Sequence, residues 1–186
     1  MTEARLTDVE PGDSELIRRW RGGDERAATL LVERHAPAVA RFLSSLGLGG
    51  GVDLEEVVQD TFVRAFASLD GFRAESSVRT WLFTIARNLC RDRQRSARWR
   101  RNEVEIEEQH AITEMDALDR TVATETAERL RQAVTTLSPM QRGVFTLRVA
   151  EGMSYREIAA VLDTSEGAAR VHYHNAMRAL KECLDE

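Results

Sequence analysis

The sequence holds 186 residues, room for one ordinary domain or two small ones, and its 26 Lys and Arg against 31 Asp and Glu leave a net charge of -5. No apolar run reaches the ~20 residues needed to cross a bilayer, so membrane insertion is not expected. The polar, acidic stretch from Met1 to Ser14 lacks the apolar core of a signal peptide, which points to a cytoplasmic protein.

Aromatics are scarce at 6%, β-rich runs are absent, and Ala, Leu, Arg and Glu dominate, which implies an all-α chain. In chain order, a first helical pattern begins near Asp13, carries Leu16, Ile17 and Trp20, and ends at Gly22-Gly23. Asp24 can cap a second helix with Ala27, Leu31, His35, Val39, Phe42 and Leu46 on its apolar side. Asp53 then caps a third, with Glu56 placed to complete a capping box and Leu54, Val58, Phe62, Ala65 and Leu69 as its apolar stripe. After a loop from Gly71 to Ser77, a long helix from about Val78 carries Trp81, Leu82, Ile85, Ala86 and Leu89 before it turns arginine-rich.

The charges are segregated. Arg87 to Arg101 holds seven arginines and one acid, Asp92, whereas Asn102 to Asp119 holds seven acids and no Lys or Arg. The acidic stretch has weak periodicity and is expected to be a flexible linker over residues 102–121. It would join an N-terminal helical bundle, residues 1–101, to a second small helical domain, residues 122–186. There a helix runs from Val122 to Leu137 with Ala127, Leu130 and Val134. Ser138, Pro139 and Gln141 open another as cap, first-turn proline and box partner, with Val144, Phe145, Leu147 and Val149 apolar. Ser154 and Glu157 make a second box for a short helix ending near Leu162. Asp163 to Ser165 form a turn, and the last helix buries Ala169, Tyr173, Ala176, Leu180 and Leu184.

Ser154 to Asn175 is a helix-turn-helix by pattern, with small Ala159 before the turn and polar residues at the start of the second helix. Ser165, Glu166, Ala168, Arg170, His172, His174 and Asn175 are its outward candidates, and Arg and Asn are the residues that bond guanine and adenine bidentately. A plain helical hairpin has the same pattern. Further upstream, Phe72, Arg73, Arg79, Trp81, Asn88 and the arginine block interleave rings that can stack on bases with cations that track phosphates, which suits single-stranded DNA. Trp81 and Phe83 are equally what an ordinary core would hold. Glu55, Gln59, Asp60, Val63 and Arg64 form the other face of the third helix, for which a solvated surface is sufficient explanation. Cys90 and Cys183 form no CxxC pair and are read as reduced thiols packed on helices. The four histidines show no metal-ligand spacing and no nucleophile–base pairing, so no metal, cofactor or catalysis is expected.

Three of these segments resemble one family. Asp53 to Phe66 (DLEEVVQDTFVRAF) looks like the second conserved region of the sigma-70 family of RNA polymerase sigma factors. Phe72 to Asp92 (FRAESSVRTWLFTIARNLCRD) resembles its promoter-melting segment, and Leu137 to Leu180 its C-terminal region. With no long third domain between them, the resemblance is to the extracytoplasmic-function group.

The resemblance implies promoter recognition and DNA melting on behalf of core RNA polymerase. Asp53, Glu56, Gln59, Asp60, Phe62 and Arg64 would dock on the clamp helices of the polymerase's largest subunit, and the C-terminal domain on its flap. Phe72, Arg73, Arg79, Trp81 and Asn88 would read the melted minus-10 strand, with Arg87, Arg91 and Arg95 on the adjacent backbone. Ala168, Arg170, His172, His174 and Asn175 would lie in the major groove of the minus-35 element, with Arg156 and Ser165 near phosphates. An anti-sigma factor as controlling partner and association with the nucleoid when polymerase-bound are further implications. His172, Asn175 and Met177 stand where family members often carry arginines, and Ala168 and Ala169 where Thr and Val are common, which leaves the preferred minus-35 sequence open. The competing reading is a stand-alone helix-turn-helix regulator on a palindromic duplex operator, in which the arginine block and acidic stretch would have no role.

Overall fold

The computed structural model describes residues 11–47, 52–72, 76–102 and 125–185. These form eight α-helices: α1 (Asp13–Arg21), α2 (Glu25–Ser45), α3 (Leu54–Ala67), α4 (Val78–Asn102), α5 (Glu125–Thr136), α6 (Pro139–Val149), α7 (Tyr155–Leu162) and α8 (Glu166–Asp185), with a 3₁₀ turn at Leu69–Gly71. No strand occurs among the described residues, so the chain is all-α as its composition implies. Nearly all of the expected acidic linker, from residue 103 onward, lies outside the described residues, as do Arg73 and Val122.

The chain divides into two compact units, residues 1–36 and 37–186, and the division falls inside α2 at Pro37. Proline has no amide hydrogen to give to the helix ladder, so this is a weak point in a helix. In the first unit, acids at the start of α1 (Asp13, Glu15) and arginines at its end (Arg18, Arg19, Arg21) complement the helix dipole. Leu16, Ile17, Ala27 and Leu31 are buried. His35, at 6% exposure, is a satisfied core histidine: Nε2 lies 2.9 Å from Asp13 Oδ2, while Arg34 donates to Oδ1 at 2.8 Å.

The second unit contains the remaining helices. Asp53 caps α3, accepting from the amides of Glu55 at 2.8 Å and Glu56 at 3.4 Å. Glu56 does not close the expected box; its carboxylate turns to Arg93 of α4, 2.7 Å away. The buried face of α3 is Val57, Thr61, Phe62 and Ala65, while Leu54 and Val58 are only half-buried. The stripe is rotated from the expected one because Thr61 donates its hydroxyl to the Val57 carbonyl at 2.7 Å and so packs as an apolar residue. α4 buries Val78, Leu82, Phe83, Ala86, Leu89 and Cys90, and the Phe83 ring lies 5.2 Å from that of Phe42 on α2.

Both C-terminal capping boxes are closed in both directions, Ser138 with Gln141 and Ser154 with Glu157. α5 meets α8 through Ala133, Leu137, Ala176 and Leu180, with Phe145 packed against them. α6 and α7 bury Val144, Leu147, Ile158, Val161 and Leu162. Gly143 permits a close approach: a Cβ there would come within 3.1 Å of a Leu46 methyl. Asp163 ends α7 in the left-handed conformation, φ 53. Three expected burials fail: Val149 and Leu130 face solvent, and Cys183 is exposed rather than packed.

The Ser154 box carries a pH dependence. Hydrogen bonds from the Ser154 side chain and amide, more than the nearby Arg79 charge, hold the Glu157 carboxyl below its ordinary range. A depressed carboxyl stabilises the fold at pH values above its unfolded pKa, and that stabilisation is lost as pH falls through the folded pKa. Chemical denaturation between about pH 5 and about pH 3 should therefore show a loss of stability that is smaller in Glu157→Gln, which keeps an acceptor oxygen but no titrating group.

Candidate nucleic-acid interface

The start of α8 is built for presentation. Ser165 caps it, accepting from the Ala168 amide at 3.0 Å, while Ala169, Ala176 and Leu180 face inward. That leaves Ser165, Glu166, Arg170 and His174 exposed and Ala168, His172 and Asn175 half-buried beside them, so the sequence-derived set shares one outward region. Arg156, on α7, is exposed as well. Arg170 is not free to swing: it pairs with Glu166, and its guanidinium lies 4.6 Å from the Tyr155 ring centroid. Arg148 approaches the same ring at 4.8 Å, and Tyr173 meets it edge-on at 5.9 Å. Such cation–π contacts pre-orient a guanidinium. In the sequence the signal for Tyr155 is only that of an aromatic at the first position of a capped helix.

On α4 the structure resolves which aromatic does what. Phe83 is fully buried, a core residue. Trp81 is half-buried and pairs with Phe72, ring centroids 4.7 Å apart, at the N-terminal end of the helix. Asn88, Arg91 and Arg95 are exposed at spacings of three and four, one continuous polar face.

The arginines on the adjoining side of α4 are engaged by the C-terminal helices. Arg79 pairs with Oε2 of Glu151, whose side chain has 0% exposure, and Arg41 of α2 holds Oε1 at 3.0 and 3.2 Å. Arg87 donates to the Leu162 carbonyl at 3.2 Å, and Asp163 lies 3.6 Å from Arg87 and 3.8 Å from Arg91. The Thr80 hydroxyl donates to Glu157 at 3.4 Å. No local sequence pattern links Arg41, Glu151 and Asp163, which lie far apart in the chain.

The outward face of α3 holds Glu55, Glu56, Gln59, Arg64 and the 64% exposed Val63. Asp60 is half-buried against Arg93, and hydrogen bonds to Glu56 first and then Asp60 push the Arg93 guanidinium's pKa up. Phe62, expected on the docking face, lies instead in the core at 5% exposure, 6.2 Å from the Phe66 ring. Its position on the inward side of the helix leaves Val63 as the large apolar group on the outward one.

The family model for sigma-70 region 2 matches residues 31–100, and that for sigma-70 region 4 matches residues 127–180. The chain is also 34% identical to the ECF RNA polymerase sigma-E factor of Escherichia coli over 90% of its own length and 92% of that protein's. The chain belongs to the sigma-70 family, in its extracytoplasmic-function group. The sigma-H factor of Pseudomonas aeruginosa is 29% identical over 92% of the chain and 93% of the relative. Among solved structures, the sigma factor RpoE from Bartonella quintana, in complex with the anti-sigma factor NepR, aligns with a TM-score of 0.71 at 26% identity over 84% of this chain and 96% of that one. CnrH, solved in complex with the cytosolic domain of CnrY, aligns at 0.62 with 32% identity over 93% and 97%.

As a sigma factor the protein is a transcription initiation factor without catalysis of its own, and the stand-alone regulator reading falls. Among the described residues no helix is long and apolar enough to cross a membrane.

Proposed function

We propose that this sigma factor reads its promoter with two surfaces, and that residues 1–101 and 122–186 are the domains that carry them, joined by the acidic stretch 102–121. The observation that carries this reading is the Phe72–Trp81 ring pair at the head of a helix whose polar face runs on through Asn88, Arg91 and Arg95. Rings that can stack with bases, followed by cations in register, suit a melted strand entering at one end and duplex backbone along the rest. Phe72, Arg73, Arg79, Trp81 and Asn88 take the minus-10 strand, and Arg87, Arg91 and Arg95 the adjacent phosphates. Arg170, His172, His174 and Asn175, with Ala168 beside them, face the minus-35 major groove, while Ser165 and Arg156 contact its backbone.

Asp53, Glu56, Gln59, Asp60 and Arg64 hold the clamp helices of the polymerase's largest subunit, with Val63 supplying apolar contact; the C-terminal domain meets the flap. Arg93 braces that face by pairing with Glu56 and Asp60. Control by an anti-sigma factor is supported by the complexes in which RpoE and CnrH were solved. Bound to polymerase, the protein is nucleoid-associated.

The direct test is capture of core RNA polymerase followed by run-off transcription, with specific transcripts appearing only when both are present. Trp81→Ala should impair promoter opening, followed by permanganate reactivity, more than closed-complex binding, since each stacked base contributes ~1–3 kcal/mol; equal loss at both steps removes the stacking role. Val63→Asp, at an exposed position, should change stability by no more than about 0.5 kcal/mol yet weaken polymerase capture. Arg170→Ala should cost about 1–3 kcal/mol of discrimination at one minus-35 base pair in gel-shift competition, with little change at the others.

A further inference from the structure

We propose that Val171, at the middle of the outward face of α8, reads the C5-methyl group of one thymine in the minus-35 element, an inference that rests on the assignment of α8 to that major groove. Val171 is absent from the residues so far assigned there. Ala169, Ala176 and Leu180 fix the inward direction of the helix, each at most 3% exposed. At ~3.6 residues per turn, the opposite direction runs along Gly167, Val171, His174 and Arg178, and all four are exposed. Glu166 and Arg170 lie to one side of this line, and His172 and Asn175, both half-buried, to the other. Val171 therefore stands between Arg170 and Asn175, the two side chains best suited to bidentate base contacts.

Its chemistry is out of place on a solvated face. Val171 is 58% exposed, and among the described residues only Val63 is a more exposed large apolar side chain. Apolar surface left in water is a cost that a binding partner can recover. The side chains around it, Arg170, His174 and Arg178, are polar or cationic, which suits a polyanion better than an apolar protein surface. In the major groove the base edges offer hydrogen-bond donors and acceptors, and the apolar group among them is the thymine methyl. Valine is branched at Cβ and holds essentially one rotamer in a helix, so its methyls point in a set direction and little side-chain freedom is lost on contact.

Two features clear the approach. Arg170 is drawn to its own side of the helix by Glu166 and by the Tyr155 ring, whose centroid is 4.6 Å from the guanidinium carbon. Gly167, one turn before Val171, puts no side chain between helix and groove. Packing within the chain does not demand that bareness, since a Cβ at Gly167 would meet only the Ser165 Oγ, at 4.0 Å. A base pair can then come close to Val171 while Arg170 reaches a different pair from the flank. Val171 thereby separates thymine from cytosine, whose major-groove edge carries an amine and no methyl.

Holoenzyme assembled from core RNA polymerase and the full-length chain tests this by selecting its preferred minus-35 element from duplexes randomised at that element. Each thymine of the selected element, on either strand, is then replaced singly by deoxyuridine, which lacks only the methyl, and promoter affinity is measured. One replacement should weaken binding about fourfold, roughly the worth of one apolar carbon withdrawn from water. Val171→Ala should lose a similar amount on the unmodified duplex and should not respond to that replacement, while its responses at the other thymines match those of the unsubstituted chain. Alanine is favourable in a helix, so the variant keeps its fold. A selected element without an A·T pair, deoxyuridine tolerated at every thymine, or a Val171→Ala variant still weakened by the critical replacement overturns the proposal. If Arg170→Ala nevertheless loses discrimination at its own base pair, Val171 alone is misassigned; if that effect is absent too, the minus-35 assignment of α8 falls with it.

Discussion

A carboxylate with no contact with water has to be held by cations, and Glu151 is held by two that come from different helices, Arg41 of α2 and Arg79 of α4. Removing one partner of such a buried pair costs about 3–5 kcal/mol, since it leaves a charge stranded, although the intact pair adds little net stability over a well-packed apolar substitute. The pair therefore specifies more than it stabilises. It fixes the junction between α6 and α7 to one point on α4, and the rest of the contact follows from there: Thr80 reaches Glu157, Arg87 reaches the end of α7, and Gly143 settles against Leu46. The Asp163 pairs are longer and more exposed, and surface pairs of that kind contribute about 0–1 kcal/mol.

This arrangement treats the two proposed DNA surfaces unequally. The outward positions at the head of α8 are open, and Tyr155 already stacks with the Arg170 guanidinium. Along α4, by contrast, Arg79 and Arg87 are half-buried, whereas Arg91 and Arg95 are exposed.

Local chemistry was the most legible part of the sequence. Asp53, Ser138 and Ser154 cap where their spacing says they should, because a cap involves residues only two or three apart. The sequence misleads wherever a distant partner competes with a near one. Glu56 had the right spacing to close a box with its own helix, but Arg93, far along the chain, took its carboxylate. Thr61 is a polar residue type, yet its hydroxyl is absorbed by the backbone and it is buried with Val57 and Phe62. Phe83 and Trp81 were indistinguishable in sequence, and tertiary packing against Phe42 on one side and Phe72 on the other separated them. Glu151 reads as a solvated turn acid, since both of its partners lie far upstream and no periodicity connects them.

The same long-range pairing explains how a chain of net charge -5 can be a DNA-binding protein. Its cations are not diluted by scattered acids; four arginines of α4 share a few particular carboxylates, Arg79 with Glu151, Arg87 and Arg91 both with Asp163, and Arg93 with both Glu56 and Asp60. Glu151 is the most deeply buried of these acids, and removing either Arg41 or Arg79 would leave its charge short of a partner.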